Sequence, residues 1–224
     1  MKKNYFLFFL LFYSTLYSQC NCAKNFGGWI NDHTINIKNS IDSFYFSYFD
    51  AWPDSSTQIQ GEQLFRYNYN CNLIWQKYIP HDVFNIDRFG NIYTLKLTGY
   101  YQNYISYLSK YDADGNLIWQ KSIKGDIQGG NIQKYIFFFD DYVYVIGNFL
   151  FDLNIENKII FHYPFQHFGG NHTKVFIAKY KTNGDLIDAR EYGNGTTDLY
   201  KDAEEDTKGN FYLSHKNTNF KENL

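Results

Sequence analysis

Apolar and polar residues alternate in short runs along this chain, and no window keeps the i, i+3, i+4, i+7 apolar stripe of a helix. Ile92, Thr94 and Lys96 alternate with Tyr93, Leu95 and Leu97, the period of two that puts successive side chains on opposite faces of a strand. Phe137, Phe139, Val143 and Val145 belong to a more continuous apolar run, as expected of strands covered on both faces. The pattern predicts an all-β chain.

Turn signals divide these runs into a recurring unit. Residues 107–121 read YLSKYDADGNLIWQK, two alternating segments around Asp114-Gly115. That dipeptide predicts a hairpin with a type I′ turn, in which both central residues take positive φ. Residues 66–77 (RYNYNCNLIWQK) and 179–187 (KYKTNGDLI) align under 110–121, each with a basic residue, a tyrosine, a turn and a Leu-Ile pair. Cys71 fills the slot held by Gly115 and Gly184. Tyr67, Tyr111 and Tyr180 are unequally spaced, which locates an insertion at 149–173, where two apolar runs bounded by Asn, Pro and Gly predict an extra or lengthened hairpin. A second recurring piece is Asp-x-x-Gly-Asn followed by a strand, at 87–93 and 206–212, with a shortened relative at 140–144. Asp first and Gly fourth suit a type I turn, the carboxylate accepting backbone N–H groups and Gly taking the left-handed exit. Ser43-Phe44-Tyr45-Phe46 reads as an earlier copy of that strand.

A repeat of about 40 to 50 residues with several strands and no helix is the signature of a β-propeller blade. The expected fold is therefore all-β, a β-propeller-like array of antiparallel sheets with about three to four blades, as an open arc or a truncated reading frame.

The N-terminus changes the address. Lys2-Lys3, the apolar run 5–13 and then Ser14-Thr15-Leu16-Tyr17-Ser18-Gln19 match the three regions of a secretory signal, and the run is short for a membrane span. Residues 1–19 are read as a removed signal peptide and 20–224 as the repeat domain, with no integral membrane segment afterwards. The expected location is secreted or on the outer cell surface. Export permits a disulfide between Cys22 and Cys71, leaving one thiol over. A lipid-modified Cys20 is the alternative, although Gln19 is larger than the residue that such a signal prefers.

Net charge is −2, from 21 basic and 23 acidic residues without a block of either sign, which argues against a nucleic-acid partner. Aromatic residues make up 21% of the chain, and sheets absorb that excess without a stacking role. The candidate chemistry is sparse. His162, His167 and His172 recur every five residues, so only a loop could gather them on one metal. Asp112, Asp114 and Asn116 resemble the opening of a calcium loop, but Leu117 and Ile123 stand where an EF-hand needs Gly and Glu. The acidic residues Asp202, Glu204, Glu205 and Asp206 read as an acid–base pair or as a solvated turn. Gly-x-Ser-x-Gly, HExxH and GxxxxGK[ST] are absent.

Residues 176–187 (FIAKYKTNGDLI), with Gly90-Asn91-Ile92-Tyr93 and Gly209-Asn210-Phe211-Tyr212, resemble the SBBP repeats of exported Bacteroidetes β-propeller proteins, and the likeness extends over most of 63–214. It departs at Cys71 and at Asp188, where Trp75 and Trp119 set the expectation of Trp. Residues 111–119 are more loosely similar to the quinoprotein propeller repeat, but no cofactor contact of that family can be placed here. The expected function is a non-enzymatic secreted or surface scaffold binding a protein or glycan through blade-end loops, with no catalytic residue and no cofactor. The alternative is a propeller enzyme, quinone-dependent or hydrolytic, which would need polar groups converging from several blades.

Overall fold

A computed structural model describes residues 33–50, 61–99, 104–125, 134–139, 141–149, 152–161, 173–196, 202–205, 211–214 and 219–222. Among them every regular element is a strand and every pairing is antiparallel. The chain divides into two compact units, Met1–Ile79 with Arg88–Gly90, and Pro80–Asp87 with Asn91–Leu224.

The first unit holds one sheet, in which β1 (His33–Asn39), β2 (Ser43–Asp50), β3 (Gly61–Asn68) and β4 (Leu73–Tyr78) pair in chain order. Phe46, Phe65 and Tyr67 are buried on one face, with the Phe46 and Phe65 rings stacked at 4.6 Å. Tyr45 and Leu64 are buried on the other.

The second unit repeats the arrangement. Strands β5 (Val83–Ile86), β6 (Ile92–Thr98), β7 (Tyr104–Tyr111) and β8 (Leu117–Gly125) again pair in chain order. Next come β9 (Lys134–Phe139), β10 (Tyr142–Phe149), β11 (Leu153–Ile155), β12 (Ile159–Phe161), β13 (Thr173–Lys181) and β14 (Leu186–Thr196). The third sheet is built from β9, β10, β13 and β14. The inserted β11–β12 hairpin leaves it and joins the second sheet, where β11 pairs with the last residues of β8. A fourth sheet contains β15 (Asp202–Glu205), β16 (Phe211–Ser214) and β17 (Asn219–Glu222). The acidic residues Asp202, Glu204 and Glu205 are therefore on a strand rather than in a turn.

Alternation along β6, β7, β10 and β13 sends one set of side chains into a core shared by the second and third sheets. Tyr93, Leu95, Leu108 and Ile123 come from one sheet and Ile136, Val143, Val145, Phe176, Ala178 and Tyr180 from the other, closed by Leu153 and Ile155 of the inserted hairpin. Each fully buried aliphatic side chain contributes about 1.5–3 kcal/mol. The two sheets are also joined where Asn85 Nδ2 donates to the Ile136 carbonyl at 2.7 Å. Gly147 belongs here for steric reasons, since a Cβ at that position would lie 2.7 Å from the Phe176 ring.

The internal equivalence extends to register. Tyr45 lies opposite Arg66 and Arg66 opposite Trp75. Tyr93, Lys110 and Trp119 stand in the same relation in the second sheet, as do Tyr144, Lys179 and Asp188 in the third. In the fourth, Tyr212 faces Lys221. The pairing also slips at the same place three times, between Arg66 and Tyr67, Lys110 and Tyr111, and Lys179 and Tyr180. Ser43–Asp50 takes in the first sheet the place that Ile92–Thr98 takes in the second.

The turns correct one expectation. Gly115 has φ +76 but neither Ala113 nor Asp114 is positive, so the turn is type I followed by a left-handed residue rather than type I′. Cys71 (φ +65) and Gly184 (φ +93) take the same conformation. The left-handed residue makes the bulge that shifts each register. A type I′ turn does occur, at Glu156 (φ +53) and Asn157 (φ +58) in the inserted hairpin.

Candidate interaction surface

Each of the three hairpins ends in one hydrogen-bonded frame. Asp112 N–H donates to the Asn116 carbonyl and Gly115 N–H to the Asp112 carbonyl, both at 2.9 Å. Asn68 with Asn72 and Cys71 reproduces this, as does Lys181 with Asp185 and Gly184. Because backbone groups make the frame, the residues at its tip can vary: Tyr69-Asn70, Ala113-Asp114 and Thr182-Asn183 occupy equivalent places.

The first residue of the turn reinforces it in two of the hairpins, and in the first of them Asn68 Oδ1 accepts from Asn72 N–H at 2.9 Å. Asp112 Oδ1 accepts from the N–H groups of Asp114 (2.9 Å) and Asn116 (2.8 Å), and Oδ2 accepts from Asn116 Nδ2 at 2.9 Å. In the Asp87–Asn91 turn, Asp87 accepts from Asn91 N–H at 2.9 Å and Asn91 Nδ2 at 2.8 Å, and Gly90 takes φ +81, as its sequence predicts. The calcium candidates Asp112 and Asn116 are therefore bonded to each other, with Asp114 exposed beside them. Among the described residues no group of three or more His, Cys, Asp or Glu is placed to hold a metal ion.

Behind the tips lie the rows set by the shared register. The Lys110 ammonium sits 5.3 Å from the Tyr93 ring centre, the Arg66 guanidinium 5.7 Å from Tyr45, and the Lys179 ammonium 5.4 Å from Tyr144 and 4.1 Å from Tyr142. Trp119 meets Tyr93 edge-on at 5.9 Å and Trp75 meets Tyr45 at 6.0 Å. In the second sheet this row is a seat. Lys110 Nζ (2.9 Å) and Trp119 Nε1 (3.1 Å) both donate to the Thr182 carbonyl, which projects from the tip of the third sheet's hairpin. Burial lowers the Lys110 pKa, partly offset by the Asp87 carboxylate. Burial, then the charge of Asp87, pushes the Tyr93 phenol well above its ordinary range. Gly184 is needed beside the seat, because a Cβ there would stand 3.1 Å from the Trp119 ring.

At the other end of β8, Glu156 reaches from its left-handed turn into a partly buried position, 3.7 Å from Lys121 and 3.5 Å from Lys158. Among the described residues its Oε1 and the hydroxyl of the fully buried Tyr180 have no hydrogen-bond partner. Burial, and secondarily the Glu156 charge, raises the Tyr180 pKa. In the first sheet the Asp42 pKa is lowered, chiefly by the Ser43 hydroxyl and further by Ser40 and Arg66, against the opposing effect of its slight burial.

The structure assigns most of the repeated Leu-Ile residues to the surface. Leu73 and Ile74 are 47% and 45% exposed, Leu117 and Ile118 55% and 52%, and Ile187 47%; only Leu186 leans on the core. They begin β4, β8 and β14, beyond the reach of the buried rows. Tyr69, Tyr78, Ile37 and Ile41 add to this apolar exposure on the first sheet.

Several sequence candidates fall outside the described residues: the signal at 1–19, Cys20, Cys22, and the histidines His162, His167 and His172. Cys71 is disulfide-bonded. Among the described residues no helix is long and apolar enough to cross a membrane. Lys110, Lys179 and Glu156 were not singled out by sequence, although the alignment of Lys110 and Lys179 with Arg66 could have flagged the first two. Comparison with known proteins finds no matching family model and no matching curated protein.

Proposed function

We propose that this chain is a secreted or cell-surface, non-enzymatic β-propeller-type repeat scaffold that binds a protein or glycan through the loops at the ends of its sheets. The observation that carries this reading is the contrast between frame and tip. Turn hydrogen bonds, bulges and Tyr–cation rows recur in register, whereas Tyr69-Asn70 and Ala113-Asp114 differ and include exposed side chains. Constant frames with variable exposed ends suit recognition rather than bond-making. Asp112 and Asp87 serve turns, while Asp82 is paired with Lys96 at 2.9 Å and Asp188 with Arg190 at 2.9 Å.

The resemblance to exported SBBP-type repeats supports the address and the propeller arrangement, and successive antiparallel sheets of equivalent register support the latter. The test has two arms. Fusion of residues 1–30 to a reporter should export it, and a glycan array together with pull-down from the producing cell's surface fraction should yield a ligand whose binding falls at least tenfold on Tyr69→Ala with Asn70→Ala. Cytoplasmic retention of the reporter, or binding indifferent to both tips, would refute the reading.

A further inference from the structure

Asparagine followed by glycine is prone to spontaneous covalent change, because no side chain on the glycine hinders attack by its backbone nitrogen on the asparagine amide. The chain has two such pairs, Asn183-Gly184 at the tip of the third sheet's hairpin and Asn194-Gly195 near the far end of β14. In the seated hairpin both reacting groups of the first pair are occupied. Gly184 is buried, its N–H donates to the Lys181 carbonyl at 2.9 Å, and a Cβ on it would stand 3.1 Å from the Trp119 ring. Asn183 is exposed, yet its Nδ2 donates to Asp185 Oδ2 at 2.9 Å and its Oδ1 accepts from Asp185 N–H at 3.1 Å, so the amide is committed to Asp185. One residue earlier Thr182 is held at both ends of its backbone. Its N–H donates to the Asp141 carbonyl at 3.1 Å, and its carbonyl accepts from Lys110 Nζ at 2.9 Å and Trp119 Nε1 at 3.1 Å.

We infer that Asn183 is a deamidation site gated by this seat, protected while Lys110 and Trp119 hold the hairpin and reactive when the hairpin lifts. In the lifted state the Gly184 nitrogen loses its proton to hydroxide and bonds to Asn183 Cγ, the Cγ–Nδ2 bond breaks, and ammonia leaves. Water then opens the cyclic imide. Cleavage between Cγ and the nitrogen gives aspartate, and cleavage between the main-chain carbonyl carbon of Asn183 and the nitrogen gives isoaspartate. The sum is one water taken up and one ammonia released.

The two products differ in consequence. Aspartate suits the turn, since Asp114 holds the equivalent place in the second sheet's hairpin, although the new charge stands beside the Asp185 carboxylate. Isoaspartate routes the main chain through Cβ and lengthens it by one atom between the Thr182 carbonyl and the Gly184 N–H, two groups that the seated turn fixes at once. The hairpin that carries it no longer fits Lys110 and Trp119, so the reaction records each opening and makes some of them permanent. The inference is independent of the ligand-binding role proposed above, because it uses only contacts inside the second unit.

Incubation of the purified chain at neutral pH, folded and in urea, tests it, with peptide mapping for the mass gain of deamidation and isoaspartate methyltransferase labelling of the products. In urea both pairs should react. In the folded chain Asn183 should react about tenfold or more slowly than in urea, because the reaction waits on local opening. Trp119→Leu and Lys110→Met should each raise the native rate at Asn183 roughly fivefold, the factor that one hydrogen bond is worth, and leave the native rate at Asn194 unchanged. Asp185→Ala, which frees the Asn183 amide, should also raise the rate at Asn183 alone. Equal rates at Asn183 in the folded chain and in urea, a native rate indifferent to Trp119→Leu and Lys110→Met, or an equal rise at Asn183 and Asn194, as global unfolding gives, would overturn the inference.

Discussion

Replacing Gly184 by alanine challenges two features of the molecule with one methyl group. The backbone there has φ +93, which costs an L-residue about 1–2 kcal/mol. The new Cβ would also lie 3.0 Å from Lys121 Cε and 3.1 Å from two atoms of the Trp119 ring. Lysine can swing away, but the indole is tied to the Thr182 carbonyl and braced against Tyr93. Moving it forfeits a hydrogen bond worth about 1 kcal/mol, with an overpacking cost of about 1 kcal/mol or more. The sum is roughly 3–4 kcal/mol, or a fall in Tm of roughly 6–16 °C for a unit of this size. Thermal and urea unfolding of Gly184→Ala, Trp119→Leu and the double variant would measure it. A leucine in place of the indole removes the clash but not the φ cost, so the cycle should show a coupling of about 1–2 kcal/mol. A Gly184→Ala protein within about 0.5 kcal/mol of wild type, or perfectly additive variants, would refute the seating of this hairpin on Trp119.

Other expectations follow from the same contacts. Asp112→Ala removes three turn hydrogen bonds and should cost about 1–2 kcal/mol in urea unfolding, with Asp112→Asn retaining a good part of it. Ile155→Ala, in the closed core of the inserted hairpin, should cost about 2–5 kcal/mol, whereas Ile118→Ala on the exposed edge should change stability by less than about 0.5 kcal/mol. Tyr93 and Tyr180 have pKa values raised mainly by burial, so the stability they confer is full below the unfolded phenol value of about 10 and is lost as pH rises above it. Ultraviolet titration should therefore leave these two phenols un-ionised until alkaline unfolding, and ionisation of all tyrosines before the fold is lost would contradict their burial.

The strands were legible because they rest on side-chain alternation and on turn residues with a stereochemical demand. Gly115 and Gly184 announce a left-handed position, and Cys71 could be placed there only by alignment. The turn type was misread because Asp-Gly serves two geometries, and the loop length that separates them is a backbone property. The type I′ turn at Glu156-Asn157 went unseen, since glutamate rarely takes positive φ and here does so with its carboxylate beside Lys121 and Lys158. Leu73-Ile74 and Leu117-Ile118 look like core by composition, yet adjacent residues on a strand face opposite ways and these lie at its outer end. The seat for Thr182 was hidden for a simpler reason: its acceptor is a carbonyl that every residue has. The attachment of β11 to β8 was likewise invisible, because strand partners distant in sequence leave no local mark.

The central claim is that successive segments of this chain are copies of one antiparallel sheet, with a tyrosine, a cation and a third residue aligned across three strands. Cross-strand nuclear Overhauser contacts between backbone protons test it most directly. The account predicts contacts linking Tyr45 to Arg66 to Trp75, Tyr93 to Lys110 to Trp119, and Tyr144 to Lys179 to Asp188. A register displaced by one residue in any of the three, or parallel pairing in one of them, would contradict it.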